Sequence, residues 1–253
     1  MTMKKLILPL ILSVSIILSA CAELLTTLQS VAPTLPLTEA EVVQGLKEAL
    51  KTGASNSSGR LAAENGYFGD EIIKILLPEE AKIIVENISK IPGGNKLVND
   101  VILRINRAAE DAAKEVAPIF INSITQMSIS DAFGILNGGD DAATQYLNRT
   151  TYSELFDLYS PKIKASVEKD IVGNISTQDS WDALTGKWNQ FAGSLAGRLA
   201  DMQTVETDLG DYLTHKALDG MFIKIAEEEL KIRKDINARV SPILKKVFGS
   251  LDN

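Results

Sequence analysis

The feature that most constrains the fold is a helical hydrophobic face between Val98 and Val116. Apolar residues recur there at the spacing of one side of an α-helix, and charged residues occupy the opposite side. The residues on this face are Val98, Val101, Ile102, Ile105, Ala108, Ala109, Ala112, Ala113 and Val116. Alanine favours helix and lets another helix approach closely. We therefore predict a central, tightly packed helix.

The helical signal continues beyond this face as far as Leu147. Pro118 interrupts the hydrogen-bond ladder, so we expect a kink or a new helix there. Ser130 and Asp131 are typical of the start of a short helix. The pair Gly138-Gly139 indicates a turn, and Asp140 is placed to cap the helix that follows.

Helical periodicity dominates the rest of the chain, which predicts an all-α fold, a multi-helix bundle around the central Ala-rich helix. The 253 residues have an ordinary globular balance, 45% hydrophobic and 23% charged. The segment from Ile72 to Leu77 is compatible with either helix or extended chain. The other helices are expected over about 38–53, 61–65, 79–89, 153–159, 161–171, 181–200 and 209–240.

The N-terminus has the pattern of a signal peptide. Lys4 and Lys5 precede an apolar run over 6–18, which is too short for a good transmembrane span. The tetrapeptide Leu18-Ser19-Ala20-Cys21 resembles the lipobox of bacterial lipoproteins. That resemblance implies cleavage before Cys21, N-acylation of the new terminus and diacylation of its sulfur, for example with palmitate. The alternative is an ordinary signal peptide with an incidental cysteine.

These features predict three parts of the chain and a location. Residues 1–20 would be the lipoprotein signal peptide, 21–37 the acylated cysteine with its tether, and 38–253 a single helical domain. Pro33 and Pro36 favour an extended tether. Multiple acyl chains give stable membrane anchoring. We expect a lipid-anchored protein of the cell envelope, on the outer membrane and facing the periplasm, since Ala22 rather than aspartate follows the cysteine.

Composition argues against several classes of function. The formal net charge of −7 and the lack of a basic patch argue against nucleic-acid binding. Cys21 is the only cysteine and His215 the only histidine, so we expect no zinc site, no thiolate nucleophile and no cofactor. Residues 137–141 offer oxygen atoms for calcium but lack the spacing of an EF-hand loop, so we interpret them as a turn.

Five polar residues are the best candidates for a site or a structural lock. Glu229 falls within the apolar stripe of the last helix, where an unpaired carboxylate would be costly. We predict that Glu229 is partly buried and paired with Arg233, or with Arg107 or another basic group of the central helix. Asn106 and Glu110 lie one turn apart at the edge of the apolar face of that helix.

Several long motifs resemble a known family. NRAAEDAA at 106–113, PIF at 118–120, the run SISDAFGILNGGDDAATQYL and KALDGMFIKIAEEELKIR at 216–233 are similar to the bacterial lipoprotein family called domain of unknown function 4197. The likeness extends from about Gly45 to Gly249. It implies an all-helical exported domain and supplies no catalytic residues.

Two classes of function remain open at this point. The first is a non-enzymatic binding or structural module for a protein partner or an apolar ligand. The alternative is an enzyme using carboxylate acid–base chemistry around Glu110 and Glu229. A deep cleft lined by those acids would favour the enzyme, an exposed apolar patch would favour a protein partner, and a lipid-sized apolar cavity would favour ligand carriage.

We predict that Cys21→Ser releases the protein from membranes, because the thioether-linked acyl chains would have no attachment point. Fractionation of cells into membrane and soluble parts, followed by immunoblotting, measures this. The control is Ser30→Ala in the tether. Membrane retention of the Cys21→Ser variant, equal to that of the unaltered protein, would contradict acylation as the anchor.

Overall fold

The computed structural model describes residues 36–87 and 94–252. The predicted signal peptide, Cys21 and nearly all of the predicted tether lie outside the described residues, as does the break predicted at Pro92-Gly93. Residues Glu39–Asn253 form one compact unit.

The described part of this unit is built from ten α-helices and contains no β-strand, which confirms the all-α prediction. Three short 3-10 turns, Glu79–Ala81, Ile236–Ala238 and Gly249–Leu251, complete it. The helices are α1 (Glu39–Leu61), α2 (Lys82–Asn87), α3 (Gly94–Ala113), α4 (Val116–Gln126), α5 (Ala132–Leu136), α6 (Ala142–Val167), α7 (Thr177–Ala192), α8 (Leu195–Leu199), α9 (Leu209–Lys234) and α10 (Pro242–Phe248). None of the helices in the described ranges is long and apolar enough to cross a membrane.

The Ala-rich helix is a core helix, as predicted. In α3 the alanines at 108, 109, 112 and 113 are buried, and α3 packs against α6 and α7. It does not form the centre alone, because the most extensive helix pairing is between α1 and α9. The core therefore contains several contacts between long helices, and α3 is one of its helices rather than a single central rod.

Close packing explains why α1 is longer than predicted. The expected stop near Gly53 is wrong, and the helix continues to Leu61. A Cβ atom at Gly53 would lie 3.3 Å from Cγ2 of Ile225 in α9, so this glycine serves helix packing rather than helix termination. At Gly45, a Cβ atom would lie 2.6 Å from Cγ2 of Val247 in α10, a distance that real Cβ atoms do not tolerate.

Three other predicted boundaries differ. The helices expected over 153–159 and 161–171 are parts of α6, which runs through Pro161 because Leu155, Tyr159 and Ile163 are all buried on one side. The helix expected over 181–200 is divided, since the Ser194 hydroxyl accepts from the N–H of Gly197 and starts α8. The last long helix ends at Lys234 rather than at residue 240.

Of the two alternatives predicted at Pro118, a kink or a new helix, the structure shows a new helix. The helix α4 starts at Val116, so Pro118 falls in the first turn, where its missing N–H costs no helical hydrogen bond. After the double glycine, Asp141 and not Asp140 occupies the position before α6, so the predicted cap is one residue early. The side chain of Asp141 makes no capping hydrogen bond, and another residue takes over that role.

Residues 62–78 form a long connection without regular helix, and this connection positions the candidate site. Turns occupy its first part, and 74–78 have no regular secondary structure. Burial alternates along it: Ile73 and Ile75 are buried, whereas Ile72 and Leu76 are 73% and 58% exposed. Such alternation is typical of extended chain. Of the segment left open at 72–77, the part from residue 74 is therefore extended, whereas 71–73 form a turn.

Candidate functional site

Asn106 of α3 binds the extended part of the connection. Its Oδ1 accepts a hydrogen bond from the N–H of Ile75 at 2.9 Å, and its Nδ2 donates to the carbonyl of Ile75 at 2.7 Å. Nδ2 also donates to the carbonyl of Ile102. One side chain thus satisfies both backbone groups of a buried residue, as a neighbouring strand would do.

Glu110 closes the turn in the same connection. Its Oε1 accepts from the N–H groups of Tyr67 and Phe68, each at 3.1 Å, and its Oε2 accepts from Nη1 of Arg107 at 2.5 Å. Arg107 also donates through Nη2 to Oδ1 of Asn65, a residue with a left-handed φ of 67°. The carboxylate of Glu110 is therefore a structural anion that holds a turn.

Tyr67 joins this turn to α9. Its ring is buried against Gly220, and its hydroxyl donates to the carbonyl of Ala217 at 2.8 Å. Burial, and next the negative charge of Glu110, raises the pKa of Tyr67 well above its usual range. The hydroxyl consequently stays protonated and remains a hydrogen-bond donor.

Glu229 and Arg233 form a second buried cluster. Glu229 is 1% exposed and pairs with Arg233, with Nη2 at 2.7 Å and Nε at 2.9 Å from its Oε1. The carboxylate also accepts from the N–H groups of Ala143 and Thr144 and from the Thr144 hydroxyl. It therefore caps the N-terminus of α6, where a negative charge is favourable.

Arg233 completes a connection across the double-glycine turn. Its Nη1 and Nη2 donate to the carbonyls of Leu136 and Ile135, at the C-terminus of α5. The ion pair in α9 thus binds the end of α5 and the start of α6 together. Asp140 in the same turn pairs with Lys234 at 2.9 Å, which leaves the turn interpretation better supported than a calcium site.

The five candidate residues thus fall into two groups. Asn106, Arg107 and Glu110 hold the connection 62–78, while Glu229 and Arg233 hold the turn before α6. Arg107 pairs with Glu110, and Glu110 and Glu229 share no hydrogen-bond partner among residues 36–87 and 94–252. Both carboxylates accept three or more hydrogen bonds from protein groups.

Other polar contacts were missed from the sequence. Arg239 is 2% exposed and donates from Nε to the carbonyl of Ile232 and from Nη2 to that of Arg233. It also forms a bidentate pair with Asp252, which lowers the pKa of that carboxyl. Cationic residues are common near helix C-termini, a signal that could have indicated the end of α9 before residue 239.

A cleft of about 650 Å³ lies between the extended connection and α9. Its exposed apolar side chains are Ile72, Leu76 and Ile223, and it is spanned by a hydrogen bond from the Tyr212 hydroxyl to the carbonyl of Leu76 at 2.9 Å. Burial and then the nearby Glu79 and Glu80 carboxylates raise the pKa of Tyr212 to about 12. The volume of the cleft is within the range of about 300–1,000 Å³ that is usual for ligand sites.

The cleft also contains charged side chains. Lys74, Glu79, Glu80, Lys216 and Asp219 line it, and none of them forms an ion pair with any residue that the structure describes. Lys74 instead lies over the Phe68 ring at 4.1 Å. The cleft therefore combines exposed aliphatic groups with charges that no described residue pairs.

The described ranges contain no group of three or more His, Cys, Asp or Glu side chains placed to hold a metal ion. His215 is exposed, and its Nδ1 lies 2.8 Å from the Tyr152 hydroxyl. Its ring also contacts that of Phe156, with centroids 4.5 Å apart. These contacts fit a surface histidine in an aromatic cluster.

Comparison with known proteins gives the family. A model of the family described as "Protein of unknown function (DUF4197)" matches residues 36–249. The chain belongs to the DUF4197 family. No curated protein and no solved structure matches it.

We predict that Glu229→Gln destabilises the DUF4197 domain by about 3 kcal/mol, because it leaves the buried Arg233 without a counter-charge. It also replaces an acceptor facing Ala143 and Thr144 by an amide donor. Urea unfolding followed by circular dichroism measures the free energy of unfolding.

The matched control is Glu206→Gln, which removes an exposed carboxylate. Its expected effect is within about 0.5 kcal/mol. A Glu229→Gln variant as stable as this control would show that the buried pair does not hold α5 and α6 together.

Proposed function

We propose that this protein is a lipid-anchored, non-enzymatic module of the cell envelope that binds a protein partner in the cleft between residues 72–77 and α9. The observation that carries this proposal is the composition of the cleft, in which the exposed Ile72 and Leu76 lie beside five charged side chains. The buried candidate residues are engaged within the fold, whereas the charged residues of the cleft are unpaired among the described residues.

The carboxylate contacts weigh against the enzymatic alternative. A side chain that acts in acid–base catalysis must come within hydrogen-bond distance of the substrate proton that it transfers, either directly or through one water molecule. Glu110 binds two backbone N–H groups and Arg107, and Glu229 binds two backbone N–H groups, a hydroxyl and Arg233. These contacts support a role for both residues in stabilising turns and helix ends.

The chemistry of the cleft supports a protein partner over an acyl chain. A carrier of apolar ligands needs an enclosed apolar volume, with few polar groups. Here five charged side chains line the cleft, and its aliphatic residues Ile72 and Leu76 are more than half exposed. A protein partner with both apolar and charged groups would complement the side chains of the cleft better than a hydrocarbon chain would.

The N-terminal pattern supports the anchor. Cys21 follows the apolar run in a lipobox-like tetrapeptide, and the helical body starts at Glu39. An extended tether of this length reaches roughly 60 Å at about 3.3–3.6 Å per residue. Confinement of the cleft near the membrane raises its effective concentration toward other envelope proteins.

Site-specific photocrosslinking in cells tests the proposal. A benzoylphenylalanine residue replaces Ile72, which lines the cleft and is 73% exposed, or Val240, which is 72% exposed and does not line it. We expect a discrete protein adduct at position 72 and none at position 240, because only the former would lie against the partner. Equal labelling at both positions, or none at either, would contradict the proposal.

A further inference from the structure

We infer that the cleft takes an extended peptide segment of its partner, which pairs as an added strand with the backbone of residues 74–76. This inference rests on the proposed function and deepens it. Three features support it. They are the backbone edge of these residues, the aliphatic side chains beside that edge, and the charged side chains that line the same cleft.

The direction of the backbone groups follows from Asn106. Both the N–H and the carbonyl of Ile75 bind this side chain, so they point to the same side of the chain. In extended chain, successive residues direct their backbone groups to opposite sides. The groups of Lys74 and Leu76 therefore point away from Asn106. The bond from Tyr212 of α9 to the Leu76 carbonyl shows that this opposite side faces the cleft.

Two backbone groups on that side lack partners. The N–H of Leu76 and the carbonyl of Lys74 make no hydrogen bond with any residue in the described ranges. They are one donor and one acceptor at the spacing used by a paired strand. The N–H of Lys74 already donates to the carbonyl of Asp70 at 2.8 Å, which limits the free edge to a short stretch. An added peptide strand would satisfy both free groups.

The side chains beside this edge select aliphatic residues. Ile72 in the turn before the edge and Leu76 within the edge are both exposed, and Ile223 of α9 is 39% exposed across the cleft. A strand presents every second side chain to one face, so residues at alternate positions of the peptide would contact these three groups. Strand addition gains affinity from main-chain hydrogen bonds and specificity from such alternate contacts.

The charges favour a basic end on the peptide. The acidic residues of the cleft are Glu79 and Glu80, which follow the extended edge, and Asp219 on α9. Its basic residues are Lys74 and Lys216. The three carboxylates outnumber the two ammonium groups. Glu79 and Glu80 are adjacent in sequence, so two of the three carboxylates of the cleft lie at this end. An arginine or lysine of the peptide, placed beyond its aliphatic residues, would complement them.

Nuclear magnetic resonance on residues 21–253 with Cys21→Ser tests this inference, since Glu39–Asn253 form a compact unit. The probe is an acetylated peptide of alternating valine and threonine that ends in two arginines. We expect saturable shifts at the amides of Lys74 to Leu77, and exchange of the Leu76 amide with solvent at least tenfold slower. Ile72→Lys should weaken binding at least tenfold, and Val240→Lys, at an equally exposed site, should leave it unchanged.

Two N-methylated peptides separate strand pairing from side-chain contact. One carries methyl groups on the odd-numbered amides and the other on the even-numbered amides. Only one edge of an added strand faces residues 74–76, so one version should keep its affinity and the other should lose at least tenfold. Equal affinity of the two versions would overturn the inference.

Other occupants give different results. Shifts of the same amides with lysophosphatidylcholine but not with the peptide would assign the cleft to an acyl chain and overturn the inference. Concentration-dependent shifts without any peptide would assign it to a second copy of the chain, with the same consequence. A protein adduct at position 72 together with equal affinity of both methylated peptides would leave the proposed function standing and remove only strand addition.

Discussion

The structure depends on one constraint: buried backbone groups outside helices must be hydrogen-bonded. Such groups occur in the connection 62–78 and at the ends of α5 and α6, on either side of the exposed double-glycine turn. Polar side chains on long helices meet the requirement at both, from α3 in the first case and from α9 in the second. An unsatisfied buried N–H or carbonyl would cost about 1–3 kcal/mol, so these side chains are needed for stability.

This constraint also separates structural from functional polarity. Glu110 and Glu229 are buried carboxylates, and burial alone would make them candidates for catalytic acids. Their oxygens, however, accept hydrogen bonds from backbone N–H groups and from guanidinium groups. The cleft residues Lys216 and Asp219 show the opposite arrangement, with exposure and no ion pair among the described residues. In our proposal, these groups contact the partner.

The periodicity of the sequence predicted the helical class, the buried alanines of α3 and the new helix at Pro118, because these follow from local pattern and burial. The boundaries at Gly53 and Pro161 were wrong because tertiary packing overrode local propensity: Gly53 lies against Ile225, and Pro161 is carried within a helix whose flanking residues are buried. The same pattern identified Glu229 as unusual, since a carboxylate lay on an apolar stripe.

The partners of the polar residues were beyond sequence reasoning where they are far apart along the chain. Glu229 and Arg233 are separated by one turn of the same helix, and their pairing was among the predicted alternatives. The contacts of Glu110 with Tyr67 and Phe68 and of Asn106 with Ile75 join different elements. The cleft depends on that same connection, so its position was equally hidden.

The most direct measurement is hydrogen exchange at the backbone amides that these side chains bind. They belong to Tyr67, Phe68, Ile75, Ala143 and Thr144. We expect these amides to exchange as slowly as amides in the interior of α9, because opening them requires loss of core packing. Exchange as fast as at Gly139, in the exposed turn, would contradict the claim that buried polar side chains hold the non-helical chain in place.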